Sequence, residues 1–68
     1  MTDTPMELIR RLDETAAALA DLAEQVRRAA DAVADEGLRQ EMLESAEGMR
    51  LRAEKMAEAI ARWRLTIQ

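Results

Sequence analysis

The sequence predicts an all-α fold, an antiparallel helical hairpin of two helices of about 30 residues each. Three observations predict it: a seven-residue apolar repeat in the first half of the chain, a similar repeat in the second half, and a change of phase between the two. The single domain predicted for residues 1–68 has helix 1 at about 5–35, a turn at about 36–38 and helix 2 at about 39–66.

The start of helix 1 is marked by the segment Thr4-Pro5-Met6-Glu7. The Thr4 hydroxyl is placed to accept a hydrogen bond from the Glu7 amide, and the Glu7 carboxylate is placed to reach back to the cap, as in a capping box. Pro5 stands at the first helical position, where its missing N–H costs nothing. Asp3 is an alternative cap one residue earlier. We therefore expect the first helix to begin at about residue 5.

Both halves of the chain carry an unbroken apolar seam. A helix with apolar residues spaced alternately three and four apart has one apolar stripe, and this spacing favours coiled-coil packing. In helix 1 the seam is Ile9, Leu12, Ala16, Leu19, Ala23, Val26, Ala30 and Val33. In helix 2 it is Met42, Ala46, Met49, Ala53, Met56, Ile60, Trp63 and Ile67.

The two seams do not belong to one continuous helix. The step from Val33 to Met42 turns the stripe by about half a revolution at 100° per residue, so a straight helix would continue the first seam with glutamates. The chain is therefore expected to turn at Gly37, which can adopt the left-handed conformation that ends a helix, with Leu38 making the hydrophobic cap contact. The facing pairs predicted from this turn are Val33 with Met42, Val26 with Met49, Leu19 with Met56, Leu12 with Trp63, and the small pairs Ala30 with Ala46 and Ala23 with Ala53.

Self-association is predicted because two helices cannot enclose a core. A 68-residue chain has marginal stability alone, and the absence of cysteine and histidine removes disulfides and the commonest metal ligand. Pairing of two hairpins into a homodimeric four-helix bundle would cover the seam. A different helical protein or a higher oligomer is the alternative partner. The flanking interface residues are predicted to be Leu8, Leu22, Leu38 and Leu43.

Two leucines and one glycine have no place in that scheme. Leu51 and Leu65 fall opposite the seam and indicate a possible further contact. Gly48 falls in the middle of helix 2 on its outer face, where it either marks a close contact with another chain or is a tolerated surface glycine.

The sequence predicts no catalytic, metal or cofactor site. Catalysis needs a positioned nucleophile, base or metal, and the acidic group Asp31, Asp35, Glu36 and Glu41 is interpreted as solvated surface. No small-molecule substrate is expected. No apolar stretch approaches the ~20 residues of a membrane span, and the N-terminus lacks the pattern of a signal peptide. We expect a cytoplasmic protein.

The plan of the chain resembles the Rop family of plasmid copy-number regulators. The likeness lies in the length of the hairpin, in alanine alternating with larger aliphatic residues along the seam, and in Ala34-Asp35-Glu36 at the turn. The resemblance implies a dimeric four-helix bundle that binds paired RNA loops. On the corresponding side of helix 1 this chain has Arg10, Arg11, Arg27 and Arg28 among acidic residues.

The functional hypothesis is a non-enzymatic protein–protein interaction module, such as a small bacterial or phage regulator or inhibitor, or a designed bundle. The alternative is a Rop-like RNA-binding regulator. A net charge of −4 argues against nucleic acid as a partner, because non-specific binding depends on neutralising phosphates.

Overall fold

The computed structural model describes residues 4–67 as two α-helices joined by a turn. Helix α1 spans Pro5–Ala30 and helix α2 spans Glu36–Ile67. They pack against each other in a flat body of 49 × 23 × 13 Å, and residues 4–67 contain no strand. The predicted all-α hairpin of two helices is therefore confirmed.

The start of α1 is capped by Thr4, as the sequence predicted. The backbone N–H of Glu7 donates to Thr4 Oγ1 at 3.1 Å, and the N–H of Leu8 donates to the Thr4 carbonyl at 3.0 Å. Pro5 is the first helical residue. The first bond satisfies an amide that has no backbone partner within the helix, and the second is the first backbone bond of the helix itself. The alternative cap, Asp3, lies outside the described residues.

The end of α1 comes earlier than predicted, at Ala30 rather than near residue 35. The amides of Ala32 and Val33 donate to carbonyls three residues back, on Ala29 and Ala30, at 3.1 Å each. Hydrogen bonds between residues three apart belong to the 3₁₀ geometry, which is tighter than the α-helix and is common at the last turn of one. The helix therefore tightens and stops before the predicted glycine is reached.

An aspartate starts α2 three residues earlier than predicted. The N–H of Leu38 donates to Asp35 Oδ1 at 3.0 Å, and the N–H of Arg39 donates to the Asp35 carbonyl at 2.9 Å. Gly37 is the second residue of α2, and no glycine of the described chain has a positive φ. The prediction that Gly37 ends helix 1 with a cap contact from Leu38 is wrong, because the aspartate cap begins a new helix before it.

The earlier turn shifts the predicted pairing of the helices by about one heptad. Leu12 and Met56 both pack against the buried cluster of Ile9, Ala16 and Ile60, whereas Trp63, the predicted partner of Leu12, is 42% exposed. The alanine layers shift in the same direction, and the groove between the helices is lined first by Ala16 with Ala53 and then by Ala23 with Ala46. The predicted facing pairs are wrong because the middle of the turn lies near residue 33.

Candidate functional site, an apolar face of the hairpin

The side chains buried between the two helices are mostly small. Five of the seven buried apolar residues are alanine, and none of the seven is more than 5% exposed. Small residues let two helices approach closely. All seven occupy the same heptad position of the predicted seams: Ile9, Ala16, Ala23, Ala30, Ala46, Ala53 and Ile60.

The other half of the predicted seam remains half-buried. This second row carries the larger side chains, and the hairpin covers only part of each: Leu12, Leu19, Val26, Val33, Met42, Met49 and Met56. The two seam residues nearest the end of α2, Trp63 and Ile67, are 42% and 41% exposed. The apolar periodicity of the sequence does not distinguish the two rows. The size of their side chains does, because the buried row is mostly alanine and the second row is leucine, valine and methionine.

The larger side chains lie together on one broad side of the hairpin. Three residues along a helix turn about 300°, so this row stands about 60° from the buried row on each helix, and antiparallel packing brings both copies of the row to the same side. Leu8, Leu22 and Leu38 lie further round in the same direction and are 50%, 46% and 47% exposed. We call this surface the apolar face: Leu8, Leu12, Leu19, Leu22, Val26, Val33, Leu38, Met42, Met49, Met56 and Trp63.

The opposite side, which we call the charged face, is a groove with an alanine floor and ion-paired rims. Arg50 binds Glu47 and also Glu54, the latter at 2.5 Å, and Arg27 binds Glu24 at 2.6 Å. Its floor is formed by Ala20, Ala23, Ala46 and Ala53. The charged face also holds Leu43, so this predicted flanking residue lies across the hairpin from Leu8, Leu22 and Leu38.

The ion pairs of the charged face shift two carboxyl groups. The hydrogen bond from Arg27, aided by the positive charges of Arg27 and Arg28, holds the pKa of Glu24 below its ordinary value. The hydrogen bond and charge of Arg50 lower the pKa of Glu47 in the same way. Both carboxylates are therefore ionised at neutral pH and occupied by neighbouring guanidinium groups, which gives them a structural role.

The arginines on the outer side of α1 are likewise engaged with carboxylates. Arg10 lies 3.6 Å from Glu7, and Arg28 binds the same Glu24 carboxylate as Arg27, at 3.3 Å. These are exposed contacts between near neighbours in the helix, so solvent screens them and each contributes little to stability. The arginines are thus interspersed with acidic partners instead of forming a basic patch.

Gly48 lies at the α2 edge of the apolar face and has no internal reason to be glycine. It borders an open groove of about 700 Å³ on α2, whose lining is apolar in part, at Leu38, Met42 and Met49, and polar in part, at Glu41, Glu44, Ser45 and Arg52. A Cβ atom built on Gly48 would meet no atom within 4 Å. Glycine in a helix interior costs about 1 kcal/mol relative to alanine. The hairpin alone therefore gives no physical reason for this residue.

The two leucines predicted to make a further contact lie outside the apolar face. Leu51 and Leu65 project from the side of α2 that is turned away from α1, and they are 45% and 79% exposed. They are two heptads apart, about four helical turns, and therefore lie close to one line along the helix. The structure does not bring them into contact with the buried row.

No site for metal-based chemistry emerges within residues 4–67, where no group of three or more acidic, histidine or cysteine residues is arranged to hold an ion. The acidic residues near the turn are exposed: Asp31, Asp35, Glu36 and Glu41. Neither described helix is long and apolar enough to cross a membrane.

No family model matches the chain, and neither curated proteins nor solved structures show a significant match. The fold and the surface together define a class: a two-helix hairpin with an alanine-rich internal row, one apolar face and one charged face.

Proposed function

We propose that this protein is a non-enzymatic, self-associating interaction module in which the apolar faces of two hairpins meet to form a four-helix bundle. One observation carries the proposal: the buried row of the hairpin is five alanines and two isoleucines, whereas the seven larger side chains of the second row are only partly covered, on a single face. A small regulator or inhibitor that acts by binding protein is the function that such a bundle fits best.

The energetics of the isolated hairpin favour a partner. Its fully buried apolar side chains are five alanines and two isoleucines, which is a small core for a chain of this length. Complete burial of a leucine or methionine contributes about 1.5–3 kcal/mol relative to exposure. Covering the part of the second row that is still exposed therefore adds a fraction of this stabilisation at each of seven positions, before the cost of association is subtracted.

A second copy is the partner whose shape the face fits. Two helices side by side present a surface of 49 × 23 Å, which can bury on the order of 1,000 Å² per copy, more than the ~800 Å² per partner of a standard stable interface. A two-fold interface needs a surface that is complementary to itself. The apolar face is flat and two helices wide, and its larger side chains are aliphatic or thioether except for Trp63, so it meets that requirement.

Gly48 supports a close approach at this face. Its missing side chain widens the groove beside Met42 and Met49 without relieving any contact inside the chain. A helix from a second copy can therefore approach α2 more closely there than it could approach an alanine. The cost of the glycine in the isolated helix is then offset by contacts made only in the assembly.

The alternative of RNA binding is supported by the resemblance in plan alone. The arginines of α1 that would face the nucleic acid bind neighbouring carboxylates instead, as Arg10 does with Glu7 and Arg28 with Glu24. Affinity for phosphates depends on cations that are free to replace counterions. The other broad surface of the hairpin carries the larger apolar side chains of the second row, which suits a protein partner.

A matched pair of leucine substitutions tests the proposal. Leu22 is 46% exposed on the apolar face and Leu51 is 45% exposed on the outer side of α2, so Leu22→Glu and Leu51→Glu make the same chemical change at equal exposure. We expect light scattering across a dilution series to give twice 7.7 kDa for the unchanged chain. Leu22→Glu should raise the dimer dissociation constant at least about tenfold, and Leu51→Glu should leave it unchanged.

Two results would contradict self-association through this face. One is a mass of 7.7 kDa for the unchanged chain at every concentration. The other is an equal effect of the two substitutions on the mass, which would show that the apolar face has no special part in assembly.

A further inference from the structure

We propose that the methionines of the apolar face make the assembly sensitive to oxidation, so that hydrogen peroxide separates the two copies by converting these side chains to sulfoxides. This inference rests on the self-association proposed above. The methionines concerned are Met42, Met49 and Met56, which repeat every seven residues along α2 and form a single row. Between Leu38 and Trp63, they are the residues that α2 contributes to the apolar face.

The hairpin leaves the methionine row partly exposed. None of the three belongs to the buried row, and each is covered only in part. Met42 and Met49 line the open groove beside Gly48, which is wide enough to admit a small oxidant. Met56 packs against the buried cluster on one side. Oxidation can therefore begin on the separated hairpin without unfolding it.

Oxidation adds one oxygen atom to each thioether. The lone pair of the sulfur attacks one oxygen of hydrogen peroxide, so that an S–O bond forms, the O–O bond breaks and the other oxygen leaves as water. Sulfur loses two electrons and the peroxide gains them. The product is a polar sulfoxide whose oxygen accepts hydrogen bonds. Among the side chains of the apolar face only Trp63 carries a donor, with Ser45 and Arg52 at the rim of the groove.

Oxidation and assembly therefore oppose each other. The sulfoxide oxygen bonds to water in the separated hairpin, and a polar group that loses such a partner is costly to bury. Two-fold symmetry places each sulfoxide in the interface twice. We expect oxidation of the whole row to raise the dimer dissociation constant at least about a hundredfold. Assembly in turn covers the row, so its oxidation should slow as the chain concentration rises.

Met6 is a control within the same chain. It is 48% exposed and precedes Ile9 by three residues, whereas Leu12 of the apolar face follows Ile9 by three. Met6 and Leu12 therefore flank the buried row on opposite sides of α1, and a second copy on the apolar face leaves Met6 uncovered. Its oxidation rate should be the same at every chain concentration.

The experiment adds hydrogen peroxide to the unchanged chain above and below its dimer dissociation constant. Peptide mass spectrometry follows each methionine, and light scattering and helicity are measured in parallel. We expect the row to be protected at high concentration and Met6 to be unprotected. The mass should fall from two chains to one as the row is oxidised. Methionine sulfoxide reductase, with dithiothreitol as the reductant, should restore the dimer.

Three variants assign the effect to the row. Met42→Leu/Met49→Leu/Met56→Leu keeps a similar side-chain volume without sulfur, so it should remain a dimer in peroxide. Met6→Leu is the matched control and should dissociate like the unchanged chain. Met49→Gln puts an uncharged polar group in the row and should raise the dissociation constant at least about fivefold without any oxidant.

A dimer that persists after the whole row is oxidised would overturn the proposed sensitivity and leave self-association intact. Dissociation of the triple leucine variant by peroxide would do the same, because another site would then be responsible. A mass of one chain at every concentration before peroxide is added would overturn both proposals, so the two failures are distinguishable.

Discussion

The guanidinium group of Arg64 on α2 binds the carboxylate of Asp13 on α1 at 3.0 Å, across 51 residues of sequence. Side chains of a helix lean toward its N-terminus. In an antiparallel pair these directions converge, which lets Arg64 and Asp13 meet although their backbones are at different levels. The contact joins the two helices at the open end, far from the turn.

Removal of this ion pair should cost little. Both side chains are about half-exposed, at 46% and 49%, and exposed pairs of this kind contribute about 0.2–1 kcal/mol. We expect Arg64→Met to lower the free energy of unfolding by less than about 1 kcal/mol, and by less still in high salt. Urea titration at a fixed chain concentration measures this, with Arg62→Met as the control for net charge. A loss above about 2 kcal/mol would contradict the surface character of the pair.

The buried isoleucine of α2 should matter far more than the exposed one. Ile60 is 1% exposed within the cluster of Ile9 and Ala16, whereas Ile67 is 41% exposed. We expect Ile60→Ala to cost about 2–5 kcal/mol, because it removes buried methyl groups and leaves a cavity. Ile67→Ala should cost less than about 1 kcal/mol. Thermal unfolding of the two variants compares them, and equal losses would contradict the observed burial.

Two substitutions at the turn should have opposite signs. Asp35→Ala removes the acceptor of the Leu38 amide and should cost about 1 kcal/mol. Gly37→Ala should stabilise the protein by about 0.4–1 kcal/mol, because Gly37 is helical without a positive φ and an added Cβ would meet Asp35 Oδ1 only at 3.4 Å.

The sign of the Gly37→Ala effect discriminates between the two descriptions of the turn. A left-handed glycine at the end of helix 1 would make the alanine variant less stable. Urea midpoints for both variants at one chain concentration give the answer, and destabilisation by Gly37→Ala would contradict the turn described here.

The sequence predicted the helices and their apolar periodicity because both depend on local spacing. It misplaced the turn because Asp35 and Gly37 both carry turn signals, and only the bonds from Leu38 and Arg39 show that the aspartate cap decides. It placed the second row in one seam with the buried row, and it placed Leu8, Leu22 and Leu38 beside that seam as flanking residues. The division between them depends on how closely the backbones approach, which periodicity does not specify.

Acid should weaken the ion pairs of the charged face. The pKa values of Glu24 and Glu47 in the folded chain lie below the ordinary 4.5, because Arg27 and Arg50 stabilise the ionised forms. A lowered folded-state pKa stabilises the protein above the unfolded-state pKa, and that contribution is lost as the pH falls through the folded-state pKa. We expect stability to decline below about pH 4.5 for this reason.

The double variant Glu24→Gln/Glu47→Gln isolates that contribution. Its unfolding free energy should fall less steeply below pH 4.5 than that of the unchanged chain, since neither glutamine titrates. Urea titrations over a series of pH values measure both slopes. Identical acid slopes would show that the two carboxylates do not contribute.

The alanine row between the helices has a consequence for how the hairpin is aligned. An alanine has no side-chain rotamer to lock, and sliding one helix by a heptad would exchange Ala16, Ala23, Ala46 and Ala53 for similar small neighbours. Such an interface fixes the distance between the helices and leaves their longitudinal position weakly defined. The longitudinal position of the helices is then specified by the bulky side chains of Ile9 and Ile60. It is also specified by the five-residue connection between Ala30 and Glu36, whose length limits how far one helix can slide along the other.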